Sequence, residues 1–98
     1  MFSIRYEESI ENDLKGLRSY ELRRIFDNVD RQLRTSPGTP SRRRKELSGM
    51  MPPWDQVRPV WQLRVGDFRV FYDVDKERHE VIVKAIRRKE TKRTEEIL

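Results

Sequence analysis

Two arginines flank a Gly-Asp pair in the segment 61–74, and their spacing suits phosphate binding. The β-rich residues on both sides of Gly66-Asp67 predict a hairpin with a two-residue loop, and Gly66 in the first loop position favours a type II′ turn. This register places Arg64 directly opposite Arg69, where like charges repel. An anion lying across the hairpin would offset the repulsion, and arginine binds phosphate through a bidentate fork.

The same register divides the hairpin into two faces, because opposed residues share a face and successive residues alternate. The apolar face suits packing on helices and comprises Trp61, Leu63, Val65, Phe68, Val70, Tyr72 and Val74. The polar face, which we expect to stay open, carries Gln62, Arg64, Arg69, Phe71 and Asp73. A purely structural role for Arg69, an ion pair with Asp73 along the same face, is the alternative to phosphate binding.

Further basic side chains cluster in two segments. Arg42, Arg43, Arg44 and Lys45 are consecutive in a predicted loop, roughly 36–58, and are equally consistent with phosphate binding and with a solvated flexible run. The second cluster, residues 84–93, holds six basic side chains against one acidic one and includes Lys84, Arg87, Arg88 and Lys89. Lys84 belongs to a predicted interior strand over 80–86, and Arg87-Arg88-Lys89 follows directly at the end of that strand.

Composition narrows the classes of function. The 98 residues predict one small domain, and the absence of cysteine excludes disulfides and thiolate catalysis. A single histidine cannot build a His-rich metal site, so we expect no metal and no cofactor. No membrane span or signal peptide is visible, which predicts a cytoplasmic protein. The whole net charge of +5 lies in residues 41–98, which favours a nucleic acid or an acidic protein as partner, with simple solubility as the alternative.

The order of elements predicts an α+β fold of two layers. A strand over 2–6 precedes a helix over 7–17 and a second helix whose apolar positions recur through Leu33. Arg23 and Arg24 lie on the opposite, solvated face of that helix. We expect an antiparallel sheet of about four strands with both N-terminal helices on one face, and a frayed helical turn over 94–98.

This order, together with Leu47-x-Gly49 and the run from Val60 to Tyr72, resembles the RelE/ParE family of type II toxin–antitoxin toxins. The family pattern is an aromatic residue, then Leu-Arg-hydrophobic-Gly-Asp-aromatic-Arg and two hydrophobic residues before Tyr. The resemblance implies an active face on the sheet and a cognate antitoxin with an acidic or amphipathic segment. The leading function it implies is metal-independent mRNA cleavage on the ribosome, which the Arg64–Arg69 pair and Arg87-Arg88-Lys89 favour. Inhibition of DNA gyrase without catalysis and an inactive binding module are the alternatives.

The resemblance also implies roles for individual residues. Arg69 corresponds to the arginine that contacts the scissile phosphate, Arg64 to a basic residue on the preceding strand, and Lys89, with Arg88 beside it, to an arginine at the end of the last strand. We therefore predict these four as catalytic residues. The RNA-binding set is Arg42, Arg43, Arg44, Lys45, Gln62, Lys84 and Arg87. Gln62 replaces a basic residue of some members, and the usual C-terminal Tyr is missing from residues 90–98, which favours the two non-nuclease functions.

Overall fold

Five strands form one sheet in the order β1-β5-β4-β3-β2, with β1 parallel to β5 and the other pairs antiparallel. This computed structural model describes residues 1–47, 49, 52–54 and 58–89. The helical turn predicted over 94–98 lies outside them. The elements are β1 Ser3–Tyr6, α1 Ile10–Leu14, α2 Ser19–Leu33, β2 Arg44–Leu47, β3 Val60–Val65, β4 Phe68–Asp75 and β5 Glu80–Arg88.

The β3–β4 hairpin has the predicted register, with Arg64 opposite Arg69 and Leu63 opposite Val70. Gly66 has a φ of +57°, and His79 is the non-glycine residue of the described chain with a positive φ. Asp67 therefore has a negative φ, which is the pattern of a type II′ turn and not of type I′. The alternation of the sequence thus fixes which side chains face the helices.

The core lies between this hairpin and the helices, as predicted. All seven residues of the predicted apolar face are buried in one cluster with Ile10 of α1 and with Ile25, Val29 and Leu33 of α2. Leu63 and Leu33 are fully inaccessible to solvent. The prediction of an α+β fold with both helices on one face is confirmed. No helix in the described ranges is long and apolar enough to cross a membrane.

The sheet has one strand more than expected, and it is mixed. The segment predicted as a continuous loop contains β2, which pairs antiparallel with β3 at the edge of the sheet. Edge strands tolerate charged residues, so Arg-Lys-Glu-Leu carries little strand signal. Helix α1 is shorter than predicted, because the Glu7 N–H still donates to the Val83 carbonyl and thus extends the strand pairing beyond β1.

The polar face of the sheet is open only in part, which corrects the expectation that all of it is exposed. Asp73, Ile82 and Ala85 are each less than one-tenth exposed. The Trp54 ring lies against Phe71 with 5.6 Å between the ring centroids. The accessible part of this face therefore lies toward the β3–β4 turn, where the arginines are.

Candidate nucleic-acid interface

Four arginines lie side by side across the open end of the sheet. Arg64 is opposite Arg69, and Arg69 is opposite Arg87 of β5. Arg43 extends the row beyond β3, because its carbonyl accepts the Arg64 N–H at 2.8 Å. Since residues that pair across strands share a face, the row places one guanidinium from each of four neighbouring chain segments on one surface.

A cleft of about 220 Å³ lies over this row at the β2–β3–β4 end. It is lined by Ser41, Arg42, Arg43, Arg44, Lys45, Gln62, Arg64 and Arg69. Seven of the eleven residues predicted from sequence thus come together, although 42–45 and 62–69 are separate segments of the chain. Cationic side chains concentrated in a concave surface attract anions, and phosphates in particular.

Arg69 does not form the ion pair with Asp73 that was its alternative role. Its Nη1 donates to the carbonyls of Gly66 at 2.9 Å and Phe68 at 3.0 Å. Asp73 is instead paired with Arg58, with 3.1 Å between Oδ2 and Nη1. In the described part of the chain, no carboxylate lies within ion-pair distance of Arg43, Arg64 or Arg69. The charges of these three side chains are therefore available to a ligand.

Arg44 lines the cleft but its guanidinium is engaged on the helix side of the sheet. Nε donates to the Thr39 carbonyl at 3.0 Å, and Nη1 donates to the side-chain oxygen of Gln32. Arg44 is opposite Leu63, a core residue, which explains this direction. Its contacts tie the end of α2 to the edge strand, and its predicted contact with RNA stays a prediction.

Lys84 and Arg87 contact acidic residues near α1. Lys84 Nζ lies 2.9 Å from Glu7 Oε1, and Arg87 Nη1 lies 2.6 Å from Asp13 Oδ1. The other oxygen of Asp13 accepts the Ile86 N–H at 2.9 Å. Asp13 thus binds the backbone of β5 at Ile86 and also the guanidinium of Arg87, the β5 member of the arginine row. Sequence reasoning missed this residue, since an acidic side chain in a short helix has no distinguishing signal.

Arg88 lies on the opposite side of the sheet from Arg87. Both were predicted to follow the strand, but β5 runs through Arg88, so successive residues alternate between faces. Arg88 is opposite Phe68; its guanidinium carbon lies 4.6 Å from the Phe68 ring centroid, and Nη2 donates to Glu21 Oε2 at 2.8 Å. The Arg18 backbone N–H, and secondly Arg88, hold the pKa of Glu21 below its usual range.

Lys89 is the last described residue of the basic cluster. Its backbone N–H donates to the Asp67 carbonyl, so the end of β5 is fastened to the β3–β4 turn. Lys89 is exposed at the same end of the sheet as Arg69. Of the four predicted catalytic residues, Arg64 and Arg69 therefore line the cleft. Lys89 lies near the β3–β4 turn, and Arg88 is directed toward α2.

The arrangement can bind a polyanion and stabilise negative charge that develops on it. Arginine remains protonated, so the unpaired Arg43, Arg64 and Arg69 are electrostatic groups and not proton acceptors. Ser41 shapes the rim, because its Oγ accepts the backbone N–H groups of Arg43 and Arg44, each at 3.2 Å. These contacts fix the backbone of the basic run at the rim of the cleft.

Comparisons with known proteins agree with this architecture. The archaeal RelE–RelB complex from Pyrococcus horikoshii matches with a TM-score of 0.71 and 17% identity over 93% of this chain and 98% of that one. The RelBE2 toxin–antitoxin complex from Mycobacterium tuberculosis matches with a TM-score of 0.70 and 19% identity, over 90% of this chain and 91% of that one. The isolated E. coli RelE toxin matches with a TM-score of 0.70 and 16% identity, over 99% of this chain and 94% of that one. These identities support the fold alone.

The family of this chain is identified by comparison of its sequence with protein-family models. Among curated proteins no match was found. The family model described as the ParE toxin of the type II toxin–antitoxin system matches residues 4–92, which include every described element except the first residue of β1. The chain therefore belongs to the RelE/ParE family of toxins of type II toxin–antitoxin systems.

Proposed function

We propose that this toxin is an endoribonuclease that cleaves mRNA on the ribosome. The observation that carries the proposal is the cleft in which Arg43, Arg64 and Arg69 have no carboxylate partner among the described residues. Opposed like charges cost folding stability, so a phosphate that neutralises them is a physical reason for their position. Gln62 and Lys45, opposite each other on β3 and β2, extend the same surface.

The chemistry that fits this surface is transfer of a phosphate within the RNA. The 2′-hydroxyl attacks the adjacent phosphorus, the bond from phosphorus to the 5′ oxygen breaks, and a cyclic phosphate is left. The 2′ proton passes to a base, and a proton is delivered to the leaving 5′ oxygen. Arg69 and Arg64 stabilise the charge that builds on the phosphate oxygens, and Lys89 is our candidate for the proton donor.

A second candidate is inhibition of DNA gyrase without catalysis. The observation that favours it is that three of the predicted basic residues are paired with acidic ones and do not line the cleft: Lys84 with Glu7, Arg87 with Asp13 and Arg88 with Glu21. The cleft residues that remain are cationic or neutral, and they include no carboxylate or imidazole base among those described. Such a surface also suits binding alone.

We further propose an antitoxin as the protein partner. Four of the structural relatives are described as complexes of a RelE toxin with its RelB antitoxin. An acidic segment of a cognate antitoxin would complement the cleft, since its carboxylates would neutralise the same arginines that the RNA phosphates would.

Controlled expression in a bacterial host separates the candidates. We expect incorporation of labelled amino acids to stop within minutes while incorporation of labelled thymidine continues, since mRNA cleavage blocks translation first. The reverse order of arrest would contradict the nuclease proposal and favour gyrase. The matched control is Arg78→Ala, which removes one arginine from the β4–β5 turn at the far end of the sheet, and it should remain as toxic as the parent.

A further inference from the structure

Arg24 of α2 lies against the β3–β4 turn, on the side away from the cleft. A methyl group built on Gly66 would lie 2.5 Å from Arg24 Nη2 and 2.8 Å from Nη1. The guanidinium therefore lies against the backbone of the turn, in the space that a side chain at position 66 would enter. Arg69 holds the same turn from the sheet face through the Gly66 carbonyl at 2.9 Å.

Arg24 differs from its neighbour Arg88 in having no acidic partner. Arg88 is paired with Glu21, whereas no carboxylate among the described residues lies within ion-pair distance of Arg24. Arg24 is also exposed. The Arg24 guanidinium thus packs against backbone, and no acidic side chain of the described residues pairs with it. It lies at the same end of the molecule as Lys89, whose backbone N–H donates to the Asp67 carbonyl of the turn.

An exposed aromatic ring lies next to Arg24 on the same helix. Tyr20 is 65% exposed, which makes it one of two large hydrophobic side chains of the described chain that are exposed. Residues four apart on a helix are neighbours, so Tyr20 and Arg24 share one face of α2. An exposed aromatic beside an uncompensated arginine is the pairing with which proteins bind single-stranded nucleic acid, the ring stacking on a base and the cation contacting a phosphate.

We infer that Tyr20 and Arg24 form a second RNA subsite, which binds one unpaired nucleotide outside the cleft. The base stacks on Tyr20, and the adjoining phosphate contacts Arg24. The β3–β4 turn, held by Arg24 on one side and Arg69 on the other, connects this subsite to the cleft. The inference rests on the proposed nuclease function, because it assumes that the cleft binds RNA. An acidic protein would account for Arg24 but not for the exposed ring.

The test is binding of a fluorescent single-stranded RNA whose 2′-hydroxyls are methylated, so that it cannot be cleaved. An otherwise identical oligomer with abasic sugars separates stacking from phosphate contact. Tyr20→Ala should weaken binding of the base-containing oligomer by at least about fivefold and leave the abasic one unchanged. Tyr20→Phe should retain wild-type affinity, because the ring remains. Arg24→Ala should weaken the binding of both oligomers. It should also reduce the slope of log K against the logarithm of the salt concentration by about 0.7, because one phosphate contact is lost.

Arg31→Ala is the matched control for Arg24→Ala, since it removes an exposed arginine from the other end of α2. The subsite is refuted if Tyr20→Ala and Arg24→Ala bind as Arg31→Ala does while Arg69→Ala weakens binding, and the proposed function would survive that result. The subsite is also refuted if Tyr20→Ala and Arg24→Ala lose affinity for an acidic antitoxin but bind RNA as the parent protein does. If the parent protein binds neither oligomer, the subsite is wrong, whereas the nuclease proposal is decided separately by cleavage of mRNA on translating ribosomes.

Discussion

Arg64 lies directly opposite Arg69 across β3 and β4, and no carboxylate of the described chain neutralises either guanidinium. Directly opposed like charges cost about 0.2–1 kcal/mol. Arg64→Gln should therefore raise the free energy of unfolding by a few tenths of a kcal/mol while it weakens RNA binding. The gain should shrink as salt screens the repulsion. Urea denaturation at low and high salt measures it.

Arg88→Gln should change the free energy of unfolding in the opposite direction to Arg64→Gln. It removes the contact with the Phe68 ring and the ion pair with Glu21, so it should lower the free energy of unfolding. If both substitutions changed stability in the same direction, the assignment of Arg64 to an unpaired ligand-binding position would be wrong.

The hairpin register makes a prediction about Leu63. The side chain is fully buried against the helices, so Leu63→Ala should lower the free energy of unfolding by roughly 2–5 kcal/mol. Gln62→Ala, on the opposite face, should cost less than about half a kcal/mol. Urea denaturation of both variants distinguishes the two faces. Equal losses would mean that the register is shifted by one residue.

Stability should decline at alkaline pH because of tyrosine. Burial, and secondly the charge of Asp30, raise the pKa of Tyr6 to about 12. The folded state therefore holds this proton more tightly than the unfolded chain, whose tyrosines titrate near about 10. The contribution to stability is complete below about pH 10 and is lost as the pH rises toward 12.

Tyr6→Phe tests this linkage, because the ring that packs edge-on against Phe26 is retained and the titrating group is removed. Urea denaturation at several alkaline pH values should show a shallower decline for the variant than for the parent. Burial also raises the pKa of Tyr72, so part of the decline should remain. The same slope in both proteins would contradict the assignment to Tyr6.

Association with an acidic antitoxin should slow as salt is added. The whole net charge of +5 lies in residues 41–98, and steering between opposite charges is screened by ions. Stopped-flow mixing with a candidate antitoxin measures the rate constant. A rate that does not respond to salt would indicate docking on an apolar surface, with the arginines of the cleft left free.

The hairpin could be predicted because its information is local. Alternation fixes the faces, and Gly66-Asp67 fixes the loop, so the opposition of Arg64 and Arg69 follows without any distant contact. The edge strand β2 could not be found, because its charged residues are tolerated only where a sheet ends, and the position of the sheet edge is a tertiary property.

The composition of the candidate site was predicted more completely than its geometry. Arg87 and Arg88 belong to the predicted basic cluster, but β5 extends two residues beyond the predicted strand and so places them on opposite faces. Their partners Asp13 and Glu21 come from helices distant in sequence, and such pairs leave no periodic signal. Arg24 is exposed, as predicted, but its approach to Gly66 could not be predicted because it depends on how α2 crosses the hairpin.

The central claim concerns Arg69, and cleavage of an mRNA by the purified toxin in a reconstituted translation reaction tests it most directly. Primer extension should detect cuts with the parent protein and with Arg78→Ala, but not with Arg69→Ala. Arg69→Lys should restore little, because the charge survives without the bidentate fork. All four proteins should unfold at similar urea concentrations. Full cleavage by a folded Arg69→Ala variant, or none by the parent, would contradict the account.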